Sequence, residues 1–376
     1  MFAMLCQGLS PFFTLSVKRK LQGRLRDTLF KMAEIYDYVK DFYNSTAIKC
    51  DFICKVNDWD LTPDIKEIVA ELHPETMRRY YGSGLIIPEG IEGKRILDIG
   101  CGSGSLVFIL SKLVGPTGSV VGMDLTPNLI TECKNREDYH RDKWGYDKKN
   151  TEFFEGNAEN ISNLEDQSFD IVVSNGVFCL VPNKANAFAE AFRLLKPDGE
   201  LYLNDVYSEK PAPPEMKGDL KAWDLGLTGS QLPGEFLASA KKAGFTTPYL
   251  TCVGPVNVSE AYQAKLAGRR YICAGSRMYR LAGGSNRGPA SVTYKGNIKG
   301  HESEFRWDIS MTFKSGKTVT VDGELATVLA RTRYSAFFDL ADAPGPVNTQ
   351  RGQNPFTYLD RLETGGKSLP HIYTVE

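Results

Sequence analysis

The sequence predicts an α/β protein: a parallel sheet with helices on both faces, a helical lid before it and a small α+β domain after it. Two patterns indicate this arrangement. Between residues 73 and 254, short apolar segments of strand length alternate with helical patterns, which is typical of a parallel sheet. Beyond residue 255 the chain becomes rich in strands separated by glycine- and lysine-containing turns. The chain has 376 residues, more than one hydrophobic core normally accommodates, so we expect several domains.

The N-terminal part divides into two predicted regions. Residues 1–28 are basic, and the first 26 residues contain no acidic side chain. Such a segment is either an organelle-targeting presequence or an exposed lead-in to the first helix. Residues 29–72 carry a helical pattern with a break at Pro63, where a proline in the first turn begins a new helix. We expect this second region to form the lid.

The strand pattern sets the remaining boundaries. The strands predicted within residues 73–254 are Arg95–Ile99, Ser119–Met123, Thr151–Glu155, Phe169–Ser174, Gly199–Val206 and Tyr249–Val253. The strands predicted in the α+β domain, residues 255–342, are Ala290–Tyr294, Glu304–Phe313 and Thr318–Val321. Residues 343–376 are rich in Pro, Gly, Asn and Gln, a composition that predicts an irregular tail.

The composition excludes several classes of protein. Because 45 basic side chains are balanced by 46 acidic ones, no broad basic surface for nucleic acid or an anionic membrane is predicted. No run approaches the roughly 18 apolar residues that span a bilayer. The eight cysteines have no regular spacing, which favours reduced thiols and a cytoplasmic location. We predict no metal site and expect a monomer that acts on a small molecule.

The segment RILDIGCGSG, residues 95–104, predicts a small-molecule site. An apolar strand containing Asp98 ends in three alternating glycines: Gly100, Gly102 and Gly104. Without Cβ atoms the backbone can approach a ligand closely, and the helix that follows offers free N–H groups. Asp124 lies 20 residues beyond Gly104, at the end of the next strand, where a carboxylate can accept hydrogen bonds from ribose hydroxyls.

This turn lacks the glycine spacing of the dinucleotide fingerprint, so NAD is disfavoured. The segments LDIGCGSG (97–104) and GMD (122–124) resemble the cofactor site of class I S-adenosylmethionine methyltransferases. The resemblance implies a Rossmann-like sheet, S-adenosylmethionine as cofactor, and a ribose held by Asp124 beside Leu125. The alternative is a domain in which the glycines only form a tight turn.

Two asparagines follow later strands of the predicted sheet. Asn157, next to the small Ala158, is placed to bind the adenine amine. Asn175 ends the fourth strand, and ligands of open parallel sheets bind at the carboxyl ends of strands. We therefore expect Asn175 and the nearby Phe178 to face the transferred methyl group. Alternatively, both asparagines only cap turns.

A narrower resemblance covers most of the chain. The segments that carry it are RYYGSGLIIPE (79–89), SKLVGPTG (111–118), VVSN (172–175), LVPNK (180–184), GELYLNDVY (199–207) and YKGNIKGHE (294–302). These segments are similar to the arsenite methyltransferase family. The last one lies outside the region shared by methyltransferases at large. The resemblance implies a lid, a class I methyltransferase core and an α+β C-terminal domain.

In that family, cysteine sulfurs hold trivalent arsenic, a soft ion on soft ligands. Of the family's cysteine positions, Cys54 matches, whereas Ser83, Gly176 and Gly226 stand at the other three. Arsenite is therefore disfavoured as the acceptor. A rebuilt site is the alternative, in which Cys50 and Cys179 join Cys54. Otherwise Cys179 packs as a small apolar side chain.

We expect methyl transfer to a soft nucleophile of a small molecule, namely the sulfur of a thiol or thioether. Such a nucleophile needs little acid–base help, so catalysis rests on positioning and exclusion of water. The residues expected at the acceptor are Phe42, Tyr43, Cys54, Tyr81, Phe178 and Cys179. The four aromatic rings either surround a developing cation or pack in the lid. The alternatives are arsenite methylation with a rebuilt thiol site and a non-catalytic cofactor-binding protein. The intact Asp98 and Asp124 argue against the last.

Overall fold

A computed structural model describes residues 32–44, 61–80, 84–216, 218–283, 286–345, 347, 354–365 and 373–375. The predicted basic segment 1–28, Cys50, Cys54, Tyr81 and Ser83 lie outside these residues. Among the described residues, no helix is long and apolar enough to cross a membrane.

A central sheet of eight strands organises the molecule. Its strands are β1 (Arg95–Ile99), β2 (Ser119–Asp124), β3 (Thr151–Glu155), β4 (Phe169–Asn175), β5 (Leu195–Ser208), β6 (Tyr249–Val258), β7 (Tyr271–Arg280) and β13 (Tyr373–Val375). Their spatial order is β13-β6-β7-β5-β4-β1-β2-β3. Strands β1 to β5 run parallel, whereas β7 is antiparallel to both β5 and β6. The predicted α/β class with a parallel-dominant sheet is confirmed.

Helices cover the sheet and precede it. They are α1 (32–44), α2 (Pro63–Glu71), α3 (Pro74–Arg78), α4 (Ser105–Val114), α5 (Pro127–Lys143), α6 (Lys184–Leu194), α7 (Leu220–Asp224), α8 (Pro233–Ala243), α9 (Glu260–Lys265), α10 (Gly323–Arg331) and α11 (Pro355–Thr364). Several begin with proline, whose fixed φ suits the first turn and whose missing N–H costs nothing there. The break predicted at Pro63 is the start of α2.

Strand β1 shows why the sheet is central. Successive side chains of a strand point to opposite faces. Leu97 and Ile99 accordingly lie in one apolar cluster together with Phe188 of α6, while Ile96 lies in the other cluster with Phe108 of α4. Burial on both faces explains why the neighbouring positions Ile96 and Leu97 are both apolar, and each such side chain contributes about 1.5–3 kcal/mol.

A smaller antiparallel unit follows. Strands β8 (Ala290–Tyr294), β11 (Thr318–Val321) and β12 (Phe338–Asp342) form one sheet, and β9 (Glu304–Arg306) and β10 (Thr312–Lys314) form a hairpin. The single strand predicted over Glu304–Phe313 is wrong. The Asp308 carboxylate accepts hydrogen bonds from the N–H groups of Ser310 and Met311, at 2.7 and 2.8 Å. An aspartate that binds its own backbone in this way reverses the chain.

The structure also differs from the expected regions near the C-terminus. Residues 255–342 supply β7 to the central sheet, so this sheet continues beyond residue 254. Within the tail expected to be irregular, α11 is capped by the side chain of Asn354, and its Phe356 and Leu359 pack in the core. Strand β13 pairs with β6. The Asn-Pro helix start was hidden by the surrounding Pro, Gly and Asn content.

A buried ionic cluster joins the small unit to the central sheet. The hydroxyl of Tyr334 accepts hydrogen bonds from Arg277 and Arg333, both at 2.7 Å, and donates one to Glu89 at 3.0 Å. Arg333 also forms an ion pair with Glu200 of β5. We call these five residues the ionic cluster.

Candidate active site

A cavity opens at the carboxyl ends of the parallel strands, where α/β sheets bind their ligands. The ends of β1, β2, β4 and β5 contribute Ile99, Asp124, Asn175 and Val206 to its wall. Helix α1 covers it with Tyr36, Val39 and Tyr43. Within the region expected to form the lid, α1 therefore contributes side chains to the cavity wall, whereas the described residues 61–72 do not.

The glycine turn forms one wall. Gly100 and Gly102 line the cavity and have positive φ values of +79° and +52°. A Cβ atom on Gly100 would lie 2.2 Å from Val177, so no larger residue fits. Gly104 has a different environment, because its Cβ would meet Phe108 and Cys133 at 3.0 Å. It permits close packing of the turn on α4 and does not line the cavity.

Asp124 lies at the end of β2 and faces the cavity. Its Oδ2 accepts a hydrogen bond from Gly102 N–H and its Oδ1 from Thr126 N–H, both at 2.9 Å. Each carboxylate oxygen has a second lone pair, so both remain able to accept ribose hydroxyls. Burial raises the pKa of this carboxyl group, and the two backbone hydrogen bonds oppose the rise.

Asp98 lies behind the turn. It is buried in β1 and is not among the residues that line the cavity. Burial, and then the charge of Asp124, raise the pKa of Asp98 to about 8. The Asp98 carboxyl is therefore largely protonated at neutral pH. In that form it can donate a hydrogen bond.

Three further residues expected to bind the cofactor also reach the cavity. Leu125, Asn157 and Ala158 all line it. The Oδ1 atom of Asn157 accepts a hydrogen bond from the Glu159 N–H at 2.8 Å, so this oxygen caps a turn. The side-chain amide still lies at the cavity wall.

Asn175 connects two parts of the site. It lines the cavity, and its Nδ2 donates to the carbonyl of Gly84 at 2.6 Å and to the Tyr80 hydroxyl at 3.2 Å. The end of β4 is thus attached to Tyr80 and Gly84. Phe178, which we expected beside the methyl group, instead packs edge-on against Phe188 with ring centroids 4.9 Å apart. The short helical turn at Phe178–Leu180 directs its ring into the core.

Of the two expected aromatic residues on α1, one reaches the site. Tyr43 lines the cavity, and its hydroxyl lies 3.4 Å from the backbone carbonyl of Asp224. Phe42 packs against the Tyr43 ring with centroids 5.1 Å apart and is not among the lining residues.

The cavity wall also contains Gly176 and Gly226 together with two thiols, Cys179 and Cys273. A Cβ atom on Gly226 would lie 3.0 Å from Cys179 Sγ, whereas one on Gly176 would point into open space. Burial, and then the neighbouring Asp205, raise the pKa of Cys179 well above its ordinary value, so this thiol is neutral. Among the described residues, no group of His, Cys, Asp and Glu is arranged to hold a metal ion.

Sequence reasoning missed Asp224. This residue ends α7, is 2 % exposed and lines the cavity. Neither of its carboxylate oxygens has a hydrogen-bond partner among the described residues. Burial raises the pKa of Asp224 to about 7. Its one sequence signal was an acidic residue at the end of a short helix, where the helix dipole disfavours negative charge.

Two family models match the chain. A methyltransferase domain matches residues 91–249, and an arsenite methyltransferase C-terminal domain matches residues 287–370. The first contains the glycine turn and most of the residues that line the cavity, and the second contains most of the small antiparallel unit.

Individual proteins are similar over nearly the whole length. An arsenite methyltransferase of Mus musculus is 36% identical, covering 85% of this chain and 87% of the relative. One from Aquipseudomonas alcaligenes is 34% identical, covering 80% and 88%. Among solved structures, an arsenic(III) S-adenosylmethionine methyltransferase from Chlamydomonas reinhardtii superimposes with a TM-score of 0.71 at 31% identity, covering 74% of this chain and 96% of that one.

Proposed function

Because the chain belongs to the arsenite methyltransferase family and is an S-adenosylmethionine-dependent methyltransferase, we propose that its acceptor is the sulfur of a small thiol or thioether. One observation carries the proposal. Gly176 and Gly226, which stand where the family has cysteines, line the cavity without offering any side chain to a soft ion. A soft acceptor then has to bring its own sulfur.

One part of the cavity has the residues expected to bind S-adenosylmethionine, which the proposed methyl transfer requires. The open backbone of Gly100 and Gly102 would pass the methionine part, Asp124 would accept the ribose hydroxyls, and Asn157 beside Ala158 would bind the adenine. S-adenosylmethionine supplies a sulfonium methyl when bound. Asn175 would hold Tyr80 and Gly84 at the methyl side of the cavity.

The acceptor half is mainly apolar. Val206, Leu225 and Val256 line it, and Tyr43 covers it from α1. A thiol or thioether suits such a wall, because its sulfur loses little hydration on burial while an amine or alcohol loses much. The transfer then depends on how the wall positions the sulfur and excludes water.

A panel of acceptors tests the proposal. S-adenosylhomocysteine release is measured with ethanethiol, dimethyl sulfide, arsenite, selenide and ethylamine. We expect turnover with the sulfur compounds to exceed that with the amine and with arsenite. An Asp124→Ala variant, impaired in cofactor binding, gives the background. Turnover with arsenite alone would refute the sulfur proposal, and cofactor binding without turnover of any acceptor would favour a non-catalytic role.

Arsenite methylation at a rebuilt thiol site is the second candidate. It is favoured by the position of Cys179, whose sulfur lies beside Gly226 at the place a side chain there would reach, and by Cys273 in the same wall. Under this alternative, Cys179→Ser and Cys273→Ser should each abolish arsenite turnover, and so should Cys54→Ser. Under the sulfur proposal, Cys54→Ser should leave ethanethiol turnover within a few-fold.

A further inference from the structure

Asp224 is a buried carboxylate at the cavity wall whose two oxygens have no hydrogen-bond partner among the described residues. Buried carboxylates in proteins are nearly always hydrogen-bonded or paired, because an isolated charge away from water is costly. Asp224 is 2 % exposed, yet both of its oxygens lack a partner among the described residues. It lines the cavity, so a bound molecule can supply the missing donor.

Its place in the fold provides no structural reason for an acid. Asp224 is the last residue of α7, the end at which carbonyl groups point outward and negative charge is disfavoured. The same helix shows the contrast at its start, where the Asp219 carboxylate accepts the Ala222 N–H at 2.9 Å and caps the helix. Asp219 therefore stabilises α7, whereas Asp224 does not.

The position within the cavity is on the acceptor side. Leu225 and Gly226 follow Asp224 along the wall, and the hydroxyl of Tyr43 lies 3.4 Å from its backbone carbonyl. The titratable side chains that line the cavity with Asp224 are Tyr36, Tyr43, Arg79, Asp124, Cys179 and Cys273. Lys184 and Asp205 lie near Cys179, and Asp219 and Lys221 belong to the same short helix as Asp224. Arg79 is paired with Glu132, and Lys184 donates to the Val181 carbonyl at 2.8 Å.

We propose that Asp224 is a catalytic residue that binds the S–H group of a thiol acceptor and removes its proton during methyl transfer. This inference rests on the proposed sulfur acceptor. The carboxylate oxygen takes the thiol proton as the sulfur lone pair forms the new bond to the methyl carbon. The bond from that carbon to the sulfonium breaks, and its electron pair stays on the cofactor sulfur. One positive and one negative charge disappear, and the proton later leaves the carboxyl for water.

The acidity of the group fits this role. A general base works best when its pKa lies near the working pH. Burial has raised the pKa of Asp224 to about 7, so at neutral pH the group can both hold and release a proton. A thiol is far less acidic than an ordinary carboxylic acid, and the raised pKa narrows that gap.

A pair of acceptors separates a base from a merely structural residue. Ethanethiol must lose a proton on methylation, whereas dimethyl sulfide has none to lose. Asp224→Asn should lower kcat/KM for ethanethiol by roughly 10²–10⁴-fold and abolish the rise of kcat/KM with pH near 7. With dimethyl sulfide the loss should stay within a few-fold. Asp224→Glu should restore part of the ethanethiol rate, and Lys221→Gln, an exposed change on the same helix, serves as the control.

Equal losses with both acceptors, or an ethanethiol rate and pH profile like those of the parent, would overturn the assignment. Binding gives a readout without turnover. In the presence of S-adenosylhomocysteine, ethanethiol should bind the parent more tightly than the Asp224→Asn variant, while dimethyl sulfide should bind both equally. If the parent binds ethanethiol in this carboxylate-dependent way but methylates no sulfur compound, the proposed function fails, whereas binding of the thiol by Asp224 is supported. If ethanethiol binding does not depend on the carboxylate, the role of Asp224 falls.

Discussion

Two sites in this molecule contain buried carboxylates, and they differ in whether those carboxylates have donors. In the ionic cluster, Glu89 and Glu200 meet the guanidinium groups of Arg277 and Arg333, and the Tyr334 hydroxyl joins them. In the cavity, Asp224 is about as buried as Glu200 and meets no donor among the described residues. Burial alone therefore does not distinguish a structural carboxylate from a functional one, whereas the presence or absence of hydrogen-bond donors does.

The two sites also titrate in opposite directions. Burial would raise the pKa of Glu89, but the charges of Arg277 and Arg333 hold it below the ordinary value of a glutamate. Burial of Asp224 is not countered in this way, and its pKa rises to about 7. Asp124 is intermediate, since backbone N–H groups use part of its capacity and leave the rest for a ligand.

The largest expected effect comes from breaking the ionic cluster. Glu200→Gln keeps the side-chain shape but leaves Arg333 without its charge partner in a buried place. We expect a loss of about 3–5 kcal/mol in the free energy of unfolding, as for other broken buried pairs. Urea denaturation monitored by circular dichroism measures it. Lys196→Gln, which removes a more exposed ion pair with Asp170, is the matched control and should cost less than ~1 kcal/mol. Equal costs for the two variants would remove the contrast between buried and exposed pairs.

The next effect comes from the hydroxyl that the cluster shares. Tyr334→Phe removes an atom that accepts from Arg277 and Arg333 and donates to Glu89. Hydrogen bonds to charged groups contribute about 1.5–3 kcal/mol, so we expect a loss near 2 kcal/mol. The same denaturation experiment applies. A variant as stable as the parent would mean that the charges alone hold the cluster together.

Much of this contrast could not be read from the sequence. The bounds of β1 and β3 were predicted correctly, because an apolar run bounded by turns marks a strand locally. Strand β7 was missed, since its place between β5 and β6 is set by pairing with distant residues. The glycine turn and Asp124 were found from a local motif. Asp224 had none, because its burial depends on how α7 lies against the strand ends.

The intermediate carboxylate provides a test of binding. Asp124→Ala should weaken S-adenosylmethionine binding by about 1–3 kcal/mol, because it removes a charged acceptor from the ribose hydroxyls. Isothermal titration calorimetry measures the dissociation constant. The backbone N–H groups of Gly102 and Thr126 also lose their partner, so Asp124→Asn, which keeps one acceptor oxygen, should show a smaller loss. An unchanged dissociation constant in both variants would place the ribose elsewhere.

The smallest effect, and the most specific, concerns the pH dependence that Asp224 gives to stability. A carboxyl whose pKa is raised on folding makes its largest contribution to stability below the pKa of the unfolded chain, about 4. That contribution is lost as the pH rises toward about 7, the value in the folded protein. Asp224→Asn lacks this dependence. We therefore expect its thermal midpoint to equal that of the parent near pH 4 and to exceed it by a few degrees at pH 8. Glu89→Gln should lower the midpoint at pH 8. The pKa of Glu89 is lowered on folding, so its ionised carboxylate stabilises the parent at neutral pH, and this stabilisation is lost on acidification. If Asp224→Asn instead lowered the midpoint at pH 8, as Glu89→Gln should, the Asp224 carboxylate would have a stabilising donor and the distinction between the two sites would fail.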